Sequence, residues 1–258
     1  MKTIQLFLIS LLILETSVAQ EYKTSFGRNS SENFLTIMIE GGEIKVEGYN
    51  GDEVIIAADG YEAPPEKAKG LTALYANGRQ DNSGIGLSVT QEGSKVQLIS
   101  VGHQEIDYIL KVPDQTTIRL QAGPRNDDIY IHNIKGEIEI KAHSEDVELL
   151  GISGPVVANS ISGDIKLDFA QINTNKPIAI SVVSGDVDMY LPSESKVDFK
   201  LSSISGEVYT DFNLNMSTND SKREETYGVR KPIQGSINGG GTPIHISTIS
   251  GNIYLRKK

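Results

Sequence analysis

The chain has 258 residues, 38% of them hydrophobic, and a formal net charge of −10 at pH 7. This hydrophobic content supports a folded core and excludes a disordered polymer, while the negative charge disfavours binding to nucleic acid or to anionic lipid headgroups. The sequence contains no cysteine, which excludes disulfide bonds and a lipid-modified cysteine.

The first 19 residues have the pattern of a secretory signal peptide. Lys2 precedes an apolar run from Ile4 to Leu14, and the small residues Ser17 and Ala19 follow where signal peptidases cleave. The run is well short of the roughly 20 apolar residues that span a bilayer. We therefore expect residues 1–19 to be removed and the protein to be exported to the periplasm, the cell surface or the medium, with no transmembrane segment left.

Residues 20–122 predict short β-strands. Apolar and polar residues alternate, as at Leu35, Ile37 and Ile39, and Gly, Asn and Asp separate the runs. The segment PPEKAKGLTALYANG, which contains Pro64, predicts a single short helical turn. We interpret residues 20–122 as a less regular N-terminal β region that forms either the first coils of a stack or a cap over its end.

Residues 126–170 form five consecutive nine-residue units: NDDIYIHNI, KGEIEIKAH, SEDVELLGI, SGPVVANSI and SGDIKLDFA. The same phrase returns at Ser184, Ser205 and Ser250. The fourth and sixth positions of each unit are aliphatic, and strand alternation directs both to one face. These pairs are Ile129 and Ile131, Ile138 and Ile140, Val147 and Leu149, Val156 and Ala158, and Ile165 and Leu167.

This short period predicts an all-β, right-handed parallel β-solenoid over residues 123–258, with two strands in each coil of about 18–22 residues. The polar, glycine-rich segment near residues 213–241 predicts a long loop or hairpin. Coils that stack in chain order would align one outward column with neighbours about 4.8 Å apart. The column would read Tyr130, Glu148, Lys166, Asp188, Tyr209.

The repeated phrase [IV]SG[DEN][IV] begins at Ile161, Val183, Ile204 and Ile249. Together with GGEIKVEGYNGDEVII near the start and INGGGTPIHISTISGNIYLRK at the end, it resembles the bacterial putative-adhesin family of β-strand repeat domains. The resemblance covers roughly residues 35–258 and implies a β-solenoid exported to the cell envelope, with no established catalytic activity.

The predicted stack aligns one acidic residue from each coil at the same corner. Such carboxylates would repel one another unless bound cations such as Ca²⁺ or hydrogen bonds from corner N–H groups offset the repulsion. We favour the hydrogen bonds, because the spaced aspartates of known calcium loops are missing. The candidate metal ligands are Asp128, Asp146, Asp164, Asp186 and Glu207.

Four tyrosines are predicted to face outward and are candidates for stacking on a sugar or contacting a protein. The alternative is that they occur there because tyrosine favours exposed strand positions. The four are Tyr130, Tyr190, Tyr209 and Tyr254.

Catalytic motifs are weak: the four histidines lack metal-ligand spacing and no GxSxG elbow occurs. Asp168 and Asp188, outward on neighbouring coils, are a candidate acid–base pair for a polysaccharide-active enzyme. We expect instead a non-catalytic structural or adhesion module of the cell envelope that needs no cofactor. Its expected partner is an envelope protein or glycan and not nucleic acid; a carbohydrate-active enzyme or glycan-binding protein is the alternative.

Overall fold

The computed structural model describes residues 20–27, 33–75, 78–172, 176–216 and 231–258. The predicted signal peptide lies outside these ranges. Within them, the one helical segment is a 3₁₀ turn at Glu66–Ala68, inside the region where the sequence predicts a helical turn. The strands are, in chain order, β1 (Gln20–Ser25), β2 (Phe34–Ile39), β3 (Gly42–Tyr49), β4 (Glu53–Asp59), β5 (Leu87–Glu92), β6 (Lys95–Ser100), β7 (Asp107–Pro113), β8 (Thr117–Ala122), β9 (Asn126–His132), β10 (Ile138–Ala142), β11 (Val147–Ile152), β12 (Val156–Ser162), β13 (Ile165–Phe169), β14 (Ile178–Ser184), β15 (Val187–Leu191), β16 (Val197–Ser203), β17 (Val208–Thr210), β18 (Asn215–Met216), β19 (Ile233–Ile237), β20 (Thr242–Ser250) and β21 (Ile253–Lys257).

The strands of the described residues form two sheets that enclose one core. Sheet A has the order β1-β4-β7-β3-β9-β11-β13-β15-β21-β17, and sheet B has the order β18-β19-β16-β20-β14-β12-β10-β8-β2-β6-β5. From β8 to β17 the chain alternates between the sheets, so that each coil adds one strand to each, and β20 and β21 form one further coil. Neighbouring coils pair in parallel, which confirms the predicted β-solenoid with two strands in each coil.

The predicted inward residues form continuous files inside the stack. Ile129, Val147, Ile165 and Val187 align from β9 to β15, and none is more than 1% exposed. Burying a side chain of this size contributes about 1.5–3 kcal/mol. One hydrophobic cluster contains residues from both sheets over the whole length of the stack. The aliphatic alternation of the sequence is therefore what holds the coils together.

Glycine is required at two of the corners that lead from sheet B to sheet A. Gly163 and Gly185 have positive φ angles of 100° and 142°. A Cβ atom on Gly163 would overlap the carbonyl oxygen of Glu145, and one on Gly185 would overlap that of Gly163. The corners can stack closely because these residues have no side chain.

The first and last coils in chain order are inserted between coils that are consecutive in sequence. The coil β2/β3 lies between β6/β7 and β8/β9, and the coil β20/β21 lies between β14/β15 and β16/β17. Each insertion separates two sequential coils by two interstrand spacings, about 9.6 Å.

The prediction that coils stack in chain order is therefore wrong at the last coil. Asp188 has Tyr254 as its neighbour, and Tyr209 lies one coil further on. The physical reason is that β21 buries two aliphatic side chains, Ile253 and Leu255, and so supports coils on both sides. Strand β17 has three residues, and its inward positions hold the half-buried Val208 and the exposed Thr210, which suits the end of the stack.

Antiparallel strands cover the ends of the parallel stack. Strands β4 and β1 extend sheet A beyond β7, and β5 extends sheet B beyond β6. At the other end, β19 pairs antiparallel with β16 and β18 pairs with β19. These two strands lie in the predicted polar segment 213–241, whose residues 217–230 are outside the described residues.

The long connection between β4 and β5 is fixed by the carboxylate of Asp81. It accepts hydrogen bonds from the backbone N–H groups of Ser83, Gly84 and Gly86 and from the hydroxyl of Tyr61. Burial alone would raise the pKa of Asp81, but the backbone and serine hydrogen bonds together hold it below its ordinary value. Nearby, the hydroxyl of buried Tyr108 donates to the Ile85 carbonyl at 2.8 Å.

Candidate functional site

A shallow groove of about 370 Å³ runs across the coils where the B-to-A corners meet the outer face of sheet A. Two columns of side chains line it. The corner column, named here in spatial order, contains Asp128, Asp146, Asp164, Asp186, Asn252 and Glu207, of which the first four line the groove. The outer column contains Tyr130, Glu148, Lys166, Asp188, Tyr254 and Tyr209, of which the first five line it.

The corner column is a ladder of hydrogen bonds between coils. Each carboxylate Oδ1 accepts a hydrogen bond from the backbone N–H of the next corner residue. The N···O distances are 3.3 Å from Asp146 to Asp128, 2.7 Å from Asp164 to Asp146, 2.8 Å from Asp186 to Asp164 and 2.6 Å from Asn252 to Asp186. The amide oxygen of Asn252 continues the ladder by accepting from Glu207 at 3.0 Å.

Backbone bonds run through the same corners in the opposite direction. The carbonyl of Asp146 accepts from Ile129, and that of Asp164 accepts from Val147, each at 2.9 Å. The carboxylates thus satisfy corner N–H groups that the strand ladder does not use, as the sequence hypothesis of hydrogen-bonded corners requires. Among the described residues, no three His, Cys, Asp or Glu side chains are arranged to hold a metal ion.

The middle of the outer column carries charges of alternating sign. Lys166 lies beside Glu148 on one coil and Asp188 on the next, as the sequence predicts. Its Nζ is 2.9 Å from Glu148 Oε2, and this hydrogen bond raises the pKa of Lys166. The pair is half exposed, so we expect it to contribute little to stability.

Three of the four predicted tyrosines meet at one end of the groove. The rings of Tyr209 and Tyr254 stack at 5.3 Å between centroids with an interplanar angle of 13°. The guanidinium of Arg256 lies 5.2 Å from the Tyr254 ring and 5.6 Å from the Tyr190 ring. We call these four residues the tyrosine surface.

The fourth tyrosine, Tyr130, lies at the far end of the groove. Four interstrand spacings, about 19 Å, separate it from Tyr254 along the outer column. Its hydroxyl is 3.2 Å from Asp128 Oδ2, and the Lys45 ammonium lies 5.3 Å from the centroid of its ring. The groove therefore has an aromatic ring at each end and charged side chains between them.

Sequence reasoning missed Arg256, although its position two residues after Tyr254 on an exposed strand places both side chains on one face. Arg256 Nε donates to Asp188 Oδ1 at 2.7 Å, which fixes the guanidinium over the rings. The sequence pattern also gave no indication of His132. Its imidazole lies between Glu47 and Glu148, with N···O distances of 3.7 and 3.5 Å.

The candidate acid–base pair, Asp168 and Asp188, lies on the adjacent strands β13 and β15 in diagonal positions. Asp168 lies opposite Tyr190 in the ladder, and Asp188 lies opposite Lys166. Each carboxylate has its own cation, because Asp168 is paired with Lys258 and Asp188 with Arg256.

Comparisons with known proteins agree with this architecture. The sequence profile of the family described as Toastrack DUF4097 matches residues 125–256, about half of the chain. No curated protein matches the sequence. Within the described residues, no helical segment has the length and apolar character needed to cross a bilayer.

Two solved structures resemble the chain. The first is a "putative cell adhesion protein" from Clostridium sporogenes, with 10% sequence identity, coverage of 93% of this chain and 100% of that one, and a TM-score of 0.51. The second is a "putative adhesin" from Bacteroides fragilis, with 8% identity, coverage of 94% and 98%, and a TM-score of 0.32. At such low identity, the first shows a shared fold alone.

Proposed function

The chain belongs to the Toastrack DUF4097 family, and from this premise we propose that it is an exported, non-catalytic interaction module of the bacterial cell envelope. Residues 1–19 supply the export signal, and the solenoid supplies a rigid support. Support for an adhesive role comes from the adhesin-like fold and from the tyrosine surface.

The stacked pair Tyr209 and Tyr254, with Arg256 beside it, is the observation that carries the proposal. Tyrosine and arginine are the residue types enriched at binding hot spots, because they bury a large area and keep a polar group for hydrogen bonding. Tyr209 is 52% exposed, so much of its ring is available to a partner. Both tyrosines stand on strands, which hold the rings in place before binding and so lower its entropic cost.

The groove favours a glycan as the partner. Aromatic faces can stack on the apolar faces of sugar rings, and the carboxylates of Glu148 and Asp188 can accept hydrogen bonds from sugar hydroxyls. The tyrosine surface by itself would also suit a protein partner. The two cases differ in whether Tyr130, at the far end of the groove, takes part.

Binding to isolated envelope fractions tests the proposal. The full chain, expressed with residues 1–19 in place, is compared with the variants Tyr254→Ala and Tyr130→Ala. We expect Tyr254→Ala to weaken binding at least about tenfold. A similar loss with Tyr130→Ala indicates a glycan along the groove, and no loss there indicates a protein at the tyrosine surface.

Lack of any binding by the wild type, or equal binding by wild type and Tyr254→Ala, would contradict the assignment of the tyrosine surface. Export is tested separately by N-terminal sequencing of the protein recovered outside the cytoplasm. The expected mature protein begins at Gln20.

A carbohydrate-active enzyme is the alternative function, with Asp168 and Asp188 as its acid and base. Since each of these carboxylates is engaged with a cation, we expect no turnover when envelope polysaccharide is incubated with the protein. Reducing ends released by the wild type and abolished in Asp188→Asn would establish the enzyme instead.

A further inference from the structure

The outer face of sheet B carries an exposed aliphatic column over four neighbouring coils. The column is formed by the first residue of each [IV]SG[DEN] phrase, and we call it the aliphatic ridge. It comprises Ile161, Val183, Ile249 and Ile204, which are 56%, 45%, 49% and 57% exposed. The ladders that join β12, β14, β20 and β16 place these residues side by side.

Folding of the coil does not account for the ridge. The adjacent Val182, one residue away, points into the core and is 2% exposed, whereas Val183 points to solvent. On the same face, the coils nearer β8 carry charged residues such as Arg119, Glu139 and Lys141. The register of β10 with β12 places His143 before Ile161 in the column, so the ridge begins at β12 and continues through the next three strands. Contiguous exposed apolar side chains of this kind mark interaction surfaces.

A strip of small polar residues runs beside the ridge. It lies two residues earlier on each strand, about 7 Å away, and we call it the serine strip. It comprises Asn159, Ser181, Ser247 and Ser202. A depression of about 270 Å³ opens over it. The serine strip thus forms a trough beside the aliphatic ridge. Its residues lie on the same four strands as those of the ridge and so have the same spacing.

We propose that this face binds a second copy of the chain, face to face, about a two-fold axis that lies parallel to the stacking direction between ridge and strip. Such an axis places the ridge of each copy over the serine strip of the other, with corresponding coils at the same height. The contact is isologous, as in most homodimers. Sheets packed in this way lie about 10 Å apart.

Charge limits the faces through which two copies of the chain can meet. Each copy has a net charge of −10, so two copies repel except where they meet through a surface that carries almost no charge. Neither the ridge nor the strip contains a charged residue. The same axis brings Lys200, two residues before Ser202, opposite the corner of the other copy that carries Glu207, so that unlike charges meet at the margin.

Light scattering and sedimentation of the full chain test the proposal at concentrations up to about 100 µM, well above the micromolar Kd of weak interfaces. We expect a dimer, and Ile249→Lys should raise its dissociation constant at least about tenfold, because it buries a charge between the two copies. The matched control is Ile109→Lys, which changes a residue of 47% exposure on sheet A and should leave the dimer intact.

A monomeric wild type, or equal weakening by Ile109→Lys and Ile249→Lys, would overturn the proposal. Circular dichroism melting of both variants separates loss of association from loss of folding.

Cross-linking through engineered cysteines provides a second measurement, since the chain has no cysteine of its own. Facing Cα atoms about 10 Å apart are too distant for a disulfide, so a bismaleimide reagent is used. The double variant Ser181→Cys and Val183→Cys should form a covalent dimer with this reagent. The control pair Lys45→Cys and Glu47→Cys, with the same spacing on sheet A, should not. A dimer formed by the control pair and not by the test pair would place the contact elsewhere. The inference does not rest on the proposed function, because the tyrosine surface lies on the other sheet.

Discussion

Glu207 and Asn252 are neighbours in adjacent coils although 45 residues separate them in the chain, and the backbone N–H of Glu207 donates to Asn252 Oδ1. Asn252 is the neutral member of the corner column and lies between Asp186 and Glu207. Its amide oxygen accepts the same hydrogen bond that a carboxylate would, without adding a negative charge.

Replacing this asparagine by aspartate should destabilise the protein through charge alone. Asn252→Asp keeps an acceptor oxygen but makes the corner column an unbroken row of six carboxylates, and we expect a loss of about 0.2–1 kcal/mol in the free energy of unfolding at low salt. Urea unfolding measures the loss, which should shrink at 1 M salt, where the Debye length is about 3 Å. Asp164→Asn, which removes a charge from the same column, is the control and should not destabilise. Equal stability of Asn252→Asp and wild type at low salt would show that repulsion in the column is negligible.

Calcium should not change the thermal stability. The corner carboxylates Asp146, Asp164 and Asp186 each have an oxygen engaged with a backbone N–H group, and binding a cation would compete with these bonds. We expect the melting temperature to be the same with about 1 mM Ca²⁺ as with a chelator, although extracellular calcium modules bind in this range. A rise that disappears in Asp164→Asn would instead support a row of metal ions.

The corner glycines should tolerate no side chain. In Gly163→Ala the new Cβ meets the carbonyl oxygen of Glu145, whereas Gly70, with a φ of 79°, has no atom within 4 Å of the position of a Cβ. Both substitutions place alanine at positive φ, and the difference between them isolates the overlap. We expect Gly163→Ala to lower the free energy of unfolding by about 1–3 kcal/mol more than Gly70→Ala does. Chemical unfolding of both variants measures the two losses in the free energy of unfolding. Equal losses would mean that the neighbouring corners move apart easily enough to make room for the Cβ atom.

Stability should fall at alkaline pH because two tyrosines are neutral in the fold. Burial and the nearby charge of Asp81 raise the pKa of Tyr61 to about 12 and raise that of Tyr108 further. An unfolded tyrosine has a pKa of about 10. Their contribution is therefore complete below pH 10 and is lost as the pH rises toward the folded-state values.

The variant Tyr108→Phe should show a smaller alkaline loss than wild type. At neutral pH it should cost about 1–3 kcal/mol, because the Ile85 carbonyl loses its buried partner. Urea midpoints between pH 8 and pH 11, values that bracket the ordinary tyrosine pKa, measure both effects. An alkaline loss in Tyr108→Phe equal to that of wild type would assign the effect to other groups.

The sequence predicts the coils well because inward aliphatic residues such as Val147 and Ile165 recur once in each coil. An aliphatic residue at every second position can be buried on one face only, so direction and register follow from the pattern. The order of the coils does not follow from it. The phrases at Ser184, Ser205 and Ser250 are nearly interchangeable, and only the weaker inward pattern of Val208 and Thr210 distinguishes the coil at the end.

The candidate site could be predicted only in part for the same reason. The corner aspartates and outward tyrosines belong to the repeat and were found from it. The meeting of Tyr209 with Tyr254 depends on the inserted coil, which brings together residues that the order of the chain keeps apart. Arg256 does not belong to the repeated phrase at all, and its role becomes visible only when Tyr190 and Tyr254 are seen on either side of it.

The insertion of β20/β21 has a consequence for synthesis in the cell. While a nascent chain lacks residues 242–257, the coil β16/β17 faces an empty slot and can dock on β14/β15 only in a wrong position. Long-range closure of this kind delays the final folding step until those residues are available. A product cut short before residue 242 would expose the sides of β14 and β16 as open strand edges, which invite aggregation and proteolysis. Chains that lack the last coil thus differ from full-length chains in having exposed strand edges in the middle of the stack.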